Sequence, residues 1–251
     1  MIDVLSRALD RRAAMGQPVQ FWMRDDDAVV PSSALDQLLK MTSDEQIRLT
    51  LAVIPKFAVP ELAERLLPER HVTVAVHGWA HVNHAGLGEK KQELGAHRPL
   101  STVIDDLQRG FNRLQHLFPN HFSPVLVPPW NRIAPAVISA LPTVGFQAVS
   151  IFGPETVVAL PMMNTHVDLM DWRGKRGGRP FDTLLADLAA AVNRGGPVGF
   201  LTHHLVHDAQ AWEFIELLFA LTVDHPGCCW SSLPDLLHLP RFPSNQEAEV
   251  G

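Results

Sequence analysis

Three carboxylates in series, Asp25-Asp26-Asp27, follow the apolar run Phe21-Trp22-Met23. Two imidazoles come next in His77-Gly78-Trp79-Ala80-His81, then the rigid stretch Pro128-Pro129-Trp130-Asn131-Arg132, and last Thr202-His203-His204 at the end of another apolar run. One carboxylate with two imidazoles is the ligand set of a catalytic divalent-metal site that keeps positions open for water and substrate. Adjacent aspartates repel one another, so the run is costly unless a cation or strong hydrogen bonds face it. The plainer alternative is a turn whose aspartates cap the helix beginning near Ser32. At a strand end, neighbouring side chains point to opposite sides, so one aspartate can ligate metal while the next acts as a base. The His77/His81 spacing puts both rings on one face of a helical turn, as paired ligands require; two surface histidines would show the same spacing. Pro128-Pro129 stiffens the backbone where a strand stops, and a fixed N–H after it can serve an oxyanion. A histidine at a strand end, His203, suits a general acid because imidazoles titrate near neutrality. With thirteen histidines in the chain, His204 and His207 are taken as incidental. Asp168 and Asp171, beside Trp172, are either loop caps or groups that orient a catalytic residue.

The elements that must position these groups alternate. Strands are predicted over 19–23, 49–54, 72–76, 125–127, 148–151, 167–170 and 198–201, with a late one at Cys228-Cys229-Trp230. Helices are predicted over 32–41 with Ser32 or Ser33 as N-cap, 60–67, 101–118 with Ser101 as cap, 181–192 ending at Gly195-Gly196, and 209–223. The clearest is 101–118, whose Ile104, Leu107, Phe111, Leu114 and Leu117 recur at the helical period. An N-terminal amphipathic helix carries Ile2, Leu5 and Leu9 on one face and stops at Gly16. Strand–helix alternation with nearly continuous apolar strands implies a parallel sheet covered by helices. About seven such units favour a distorted (β/α)7-type barrel, in which functional groups sit at the carboxyl ends of strands. All four motifs fall there. The charged loop 89–98 is long enough to border the site.

Composition sets the outer limits. The 251 residues fit a single barrel domain over 1–240 followed by a polar, flexible tail at 241–251. An apolar fraction of 46% supports a core, and a net charge of −6 without a basic cluster gives no footing for nucleic acid. With no tyrosine in the chain, phenolic acid–base chemistry is excluded. The two cysteines are adjacent, so no disulfide framework joins distant segments. The N-terminus lacks the long apolar core of a signal peptide and no run is long enough to span a membrane, so a cytoplasmic location is expected. Oligomeric state is not legible.

With aspartate run, HxxxH, Pro-Pro-aromatic, Asp-to-Asp-Trp and hydrophobic-His in this order, the chain resembles the polysaccharide deacetylase family (the NodB-homology domain) over residues 19–238. That resemblance implies a hydrolase that uses a divalent metal, usually zinc with cobalt, nickel or manganese as alternatives, to remove acyl groups from N-acylated sugars. It implies Asp25 as general base, Asp26, His77 and His81 as metal ligands, the Trp130 N–H as oxyanion donor and His203 as general acid. Matching Ser32 to the threonine that follows in the family supports this register. Matching Asp27-Ala28-Val29 to the family's Asp-Gly-Pro moves the base and ligand to Asp26 and Asp27. Asp27, Arg24, Arg132, Asp171 and Trp172 are expected to bind substrate or orient the catalytic groups. The family often places an arginine before the Pro-Pro pair to hold the base, where this chain has Val127; Arg24 and Arg132 are the candidate substitutes. The resulting expectation is a metal-dependent deacetylase for an N-acetylated sugar or sugar precursor. The alternatives are hydrolysis of a non-sugar C–N bond and a catalytically silent barrel that binds sugar or metal.

Overall fold

In the computed structural model, which describes residues 3–156 and 158–238, the aspartates continue the first strand rather than ending it. The strand β1 spans Val19–Ala28, because its charged half finds partners on both sides: Asp25 lies opposite Leu51 of β2 (Leu49–Val53) and Thr202 of β7 (Val198–Thr202). β3 (Val72–His77) and β4 (Phe122–Val127) extend the sheet from β2, and the short β5 (Ala148–Val149) follows. On the other side β7 pairs with β6 (Val167–Asp168), while β8 (Cys228–Trp230) pairs with the start of β1. Every named pairing is parallel, in the order β5-β4-β3-β2-β1-β7-β6. Parallel bridges Val149↔Met162 and Phe152↔Thr165 carry the sheet from β5 towards β6 and curl it round. The expected distorted (β/α) barrel is thus the observed architecture.

Helices α1 (Asp3–Ala14), α2 (Ser33–Asp44), α3 (Pro60–Leu66), α4 (Leu100–Leu117), α5 (Pro135–Val144), α6 (Phe181–Arg194), α7 (Ala209–Thr222) and α8 (Leu233–Leu237) complete the chain. Ser32 caps α2 by accepting the Leu35 N–H, as predicted. The expected Ser101 cap does not form: α4 starts a residue earlier, after Pro99. The sequence reading lacked α5, which carries Pro142 in its interior and is flanked by short loops that look like turns. Ile2 and the tail at 241–251 lie outside the described residues.

Alternation along β1 divides the core and decides what each aspartate faces. Phe21 and Met23 join the large apolar layer between sheet and helices. Trp22 joins Ala52, Ala75, Val125, Val127 and Ala148 in a smaller interior cluster to which α8 contributes Leu233 and Leu236. By the period of two, Arg24 and Asp26 continue the interior side and Asp25 the helix side. A β-bulge between Asp25 and Ala28, with Asp27 left-handed at φ 75°, then breaks the alternation at the strand mouth.

Candidate active site

The bulge turns Asp27 towards the end of β3. Its Oδ1 stands 3.2 Å from His77 Nε2 and 3.4 Å from His81 Nε2, is buried, and is satisfied by no hydrogen bond. One ligand atom from each of these residues lies within 4.8 Å of the others, and this is the sole such cluster among the described residues. Burial raises the Asp27 carboxyl, but the His77 and His81 imidazoles outweigh it and hold the group well below the usual carboxylate range. An unsatisfied carboxylate oxygen with two convergent imidazole nitrogens fits a divalent cation by donor type and count. His77 Nδ1 meets the Val127 carbonyl at 2.9 Å, which fixes that ring and leaves Nε2 for the site.

The two imidazoles do not share a helical turn. His77 ends β3, and the next residues form an irregular loop with φ of 59° at Gly78 and 54° at His81. Those two left-handed residues fold the loop back so that the rings sit 5.1 Å apart. His81 also packs on Trp130, ring centres 4.2 Å apart. Trp130 and Asn131 are themselves left-handed, at φ 55° and 56°, as the Pro128-Pro129 stretch turns sharply at the strand end.

Asp26, expected as a metal ligand, has both carboxylate oxygens taken by an arginine. Arg24 grips it in bidentate fashion, Nε to Oδ1 at 2.8 Å and Nη2 to Oδ2 at 3.0 Å. The guanidinium is fully buried and spends its other donors on Asn131 Oδ1 (2.8 Å), Ser150 Oγ (2.7 Å) and the Ser150 carbonyl (3.2 Å). Val127 joins Trp22 in the interior cluster, and the arginine that reaches Asp26 on that side comes from β1 rather than β4. Arg132 points away and donates to the Lys91 carbonyl. His203 Nε2 lies 3.9 Å from Asp26 Oδ2, and its ring meets Trp172 edge-on at 4.6 Å.

Asp25, expected as the base, faces the helix layer. Its carboxylate accepts the Thr202 hydroxyl (2.7 Å), the His204 N–H (2.7 Å) and the His204 ring Nδ1–H. Both side chains are fully buried. Burial works against the charged forms, yet the partner wins in each case: His204 draws the Asp25 carboxyl down and Asp25 lifts the His204 imidazole. His204, taken as incidental in the sequence, is therefore half of a buried ion pair.

Of the two candidate orienting aspartates, Asp168 is the one that feels His203 and Asp26. It accepts the Trp172 indole N–H at 2.8 Å, and burial pushes its carboxyl up against the pull of His203. Asp171 instead caps its own loop, accepting the N–H groups of Arg173, Gly174 and Lys175. Sequence reasoning missed Ser150, Asn131, Thr202, His204 and Glu93. Asn131, Thr202 and His204 carried a signal as polar members of motifs at strand ends, and Glu93 as part of the charged loop 89–98; Ser150 carried none.

His207 supports His203 from behind, its Nε2 accepting the His203 N–H at 3.3 Å. Burial, reinforced by His204 and His203 against Asp25, holds its pKa down at about 4. A histidine depressed below its unfolded value of 6.5 takes up a proton in the unfolded state first, so stability falls as pH drops from about 6.5 to 4. For this partly exposed ring the loss is roughly 1–2 kcal/mol. Urea unfolding of metal-free protein at pH 7 and pH 4.5 should show a larger acid loss in the wild type than in His207→Gln; equal losses would contradict this.

No protein-family model matches the sequence, and no curated protein matches it. Solved structures do. A Mycobacterium smegmatis protein assigned to the polysaccharide deacetylases superposes with a TM-score of 0.68 at 17% identity, over 92% of this chain and 96% of its own. The fold is that of the polysaccharide deacetylases. A family 4 carbohydrate esterase from Streptomyces lividans, in complex with acetate, shares the polysaccharide deacetylase fold with a TM-score of 0.57 at 17% identity, covering 84% of this chain and 90% of its own. A family 4 acetyl xylan esterase from Clostridium thermocellum, in complex with a cobalt ion, does so with a TM-score of 0.54 at 14% identity, covering 86% and 89%.

Proposed function

We propose that the protein is a metal-dependent deacylase of an acylated carbohydrate, most specifically of an N-acetylated sugar or sugar precursor. The observation that carries the reading is the convergence of Asp27, His77 and His81, next to an arginine-clamped Asp26, at the mouth of a barrel of this fold. A divalent cation held by Asp27, His77 and His81, zinc in the first instance, supplies Lewis-acid polarisation of an acyl carbonyl and eases deprotonation of water. Asp26 accepts the proton of the attacking water; Arg24 leaves lone pairs free on both carboxylate oxygens and fixes their direction. The Trp130 N–H, fixed by the left-handed turn after Pro128-Pro129, donates to the developing oxyanion. His203, 3.9 Å from Asp26 and packed on Trp172, passes a proton to the departing nitrogen.

Arg24 bears on the silent-barrel alternative. That reading rests on the missing arginine at Val127, and a buried bidentate arginine now holds Asp26 from β1. Two free cysteines suit a reducing compartment, and no helix of the described residues is long and apolar enough to cross a membrane. A cytoplasmic enzyme meets soluble, nucleotide-linked or lipid-linked sugars rather than external polymer, which directs the choice of substrates.

The test is acetate release from a panel of N-acetylated sugars, nucleotide sugars and acetylated xylan. Activity should vanish on chelation and return with zinc or cobalt. His203→Ala should keep its metal and lose about 10²–10⁴-fold in kcat. A panel without acetate release from metal-replete protein would refute the deacylase reading, and activity indifferent to chelation would refute the metal.

A further inference from the structure

The loop that presents His81 is short, irregular and left-handed at both ends, and its Trp79 carbonyl accepts the Lys56 N–H at 2.9 Å. Its N–H groups turn instead to one side chain. Glu93, 1% exposed, accepts the Ala80 N–H at Oε1 (2.8 Å) and the Trp79 and His81 N–H groups at Oε2 (both 3.2 Å). Consecutive N–H groups converging on one point form a nest for an anion. Among the described residues no Lys or Arg forms an ion pair with this carboxylate, so the nest is its counter-charge.

Glu93 is itself anchored to the segment that carries Trp130. Its neighbour Leu94 bridges Ile133 in parallel, and the Ala134 N–H donates to the Leu94 carbonyl at 2.9 Å. Gly78 completes the fit: a Cβ there would come within 2.2 Å of Glu93 Oε2 and 2.6 Å of Pro129. The carboxylate therefore sits where the HxxxH loop and the Pro-Pro-Trp segment meet.

We propose that Glu93 is a positioning residue for the metal site: its buried carboxylate gathers the N–H groups of residues 79–81 and so fixes His81 Nε2 against Asp27 and His77. This rests on the reading of Asp27, His77 and His81 as ligands. A ligand delivered from a loop binds metal well only if the loop is pre-ordered, and supporting groups of this kind typically carry 10–100-fold in affinity. A glutamine in the same place keeps the size but turns an NH₂ towards at least one N–H, so E93Q loses an acceptor as well as the charge.

The experiment is a cobalt(II) titration of metal-free full-length wild type, E93Q, E93A and H81A, followed by visible absorption, with the thermal midpoint of each metal-free protein measured separately. The expected result is a stoichiometric complex in wild type and about 10–100-fold weaker binding with an altered spectrum in E93Q and E93A. Wild-type affinity and spectrum in E93Q, whatever its thermal midpoint, would overturn the proposal. Should E93A not fold, E93Q decides alone. H81A separates the two ideas: cobalt binding lost in H81A but intact in E93Q defeats Glu93 only. Binding absent from wild type, or undiminished in H81A, defeats the metal-site reading and the Glu93 role with it.

Discussion

Asp27→Asn should empty the site of its divalent cation, whereas Asp26→Asn should keep the cation and stop turnover. The contrast follows from what each carboxylate touches. Asp27 Oδ1 is the atom nearest both imidazoles, at 3.2 and 3.4 Å, and an amide in its place removes the anionic member of a three-residue ligand set. Asp26 has both oxygens on Arg24 and lies 3.9 Å from His203, so its amide leaves the ligands alone and removes the proton acceptor, at about 10²–10⁴-fold in kcat. Asp25→Asn belongs to a third class. It weakens the buried pair with His204, so stability falls by roughly 3–5 kcal/mol while metal binding persists in the folded fraction. Metal content by elemental analysis, kcat on whichever acetylated sugar is turned over, and urea midpoints separate the three. Metal lost from Asp26→Asn and kept in Asp27→Asn would restore the register expected from the sequence.

Arg24→Met carries the second large effect. The guanidinium is fully buried and holds Asp26, Asn131 and Ser150 together, so its removal strands a buried carboxylate and two polar partners. Breaking such a pair from one side costs about 3–5 kcal/mol, a large share of the margin of an ordinary domain. In the protein that still folds, Asp26 loses its fixed direction, and turnover should fall about 10²-fold with metal content unchanged. Arg24→Lys keeps the charge but not the planar fork, so it should recover part of the stability and little of the activity. Wild-type urea midpoint and kcat in Arg24→Met would show that the clamp is idle.

The deacetylase-like fold was legible because its signals are local. Apolar runs of strand length, the 3.6-residue stripe of α4 and the Ser32 cap appear in the sequence at nearly the positions the structure uses. The exceptions have local causes too: α5 hid behind Pro142, and β1 ran on through residues that look like a turn until their partners are known. Parts of the site were equally plain. The HxxxH pair, the Pro-Pro-Trp turn and His203 end up around one barrel mouth, as strand-end placement implies.

What the sequence by itself determined is the set of chemical groups and the strand ends that carry them. Which aspartate faces the two imidazoles, and which arginine reaches Asp26, only the tertiary structure decided. Strand alternation sends Asp25 to the helix side and Asp26 to the interior, but the bulge and the left-handed Asp27 reset the count by one residue, and a bulge has no clear signature in Asp-Asp-Asp. The arginine is a matter of closure. Curling the sheet brings β1 opposite β4 and β5, so Arg24 reaches Asn131 and Ser150, 107 and 126 residues away along the chain. Glu93 is nearer in the chain, 12 to 14 residues from the three N–H groups it accepts, but those groups converge on it only once Gly78 and His81 have turned left-handed.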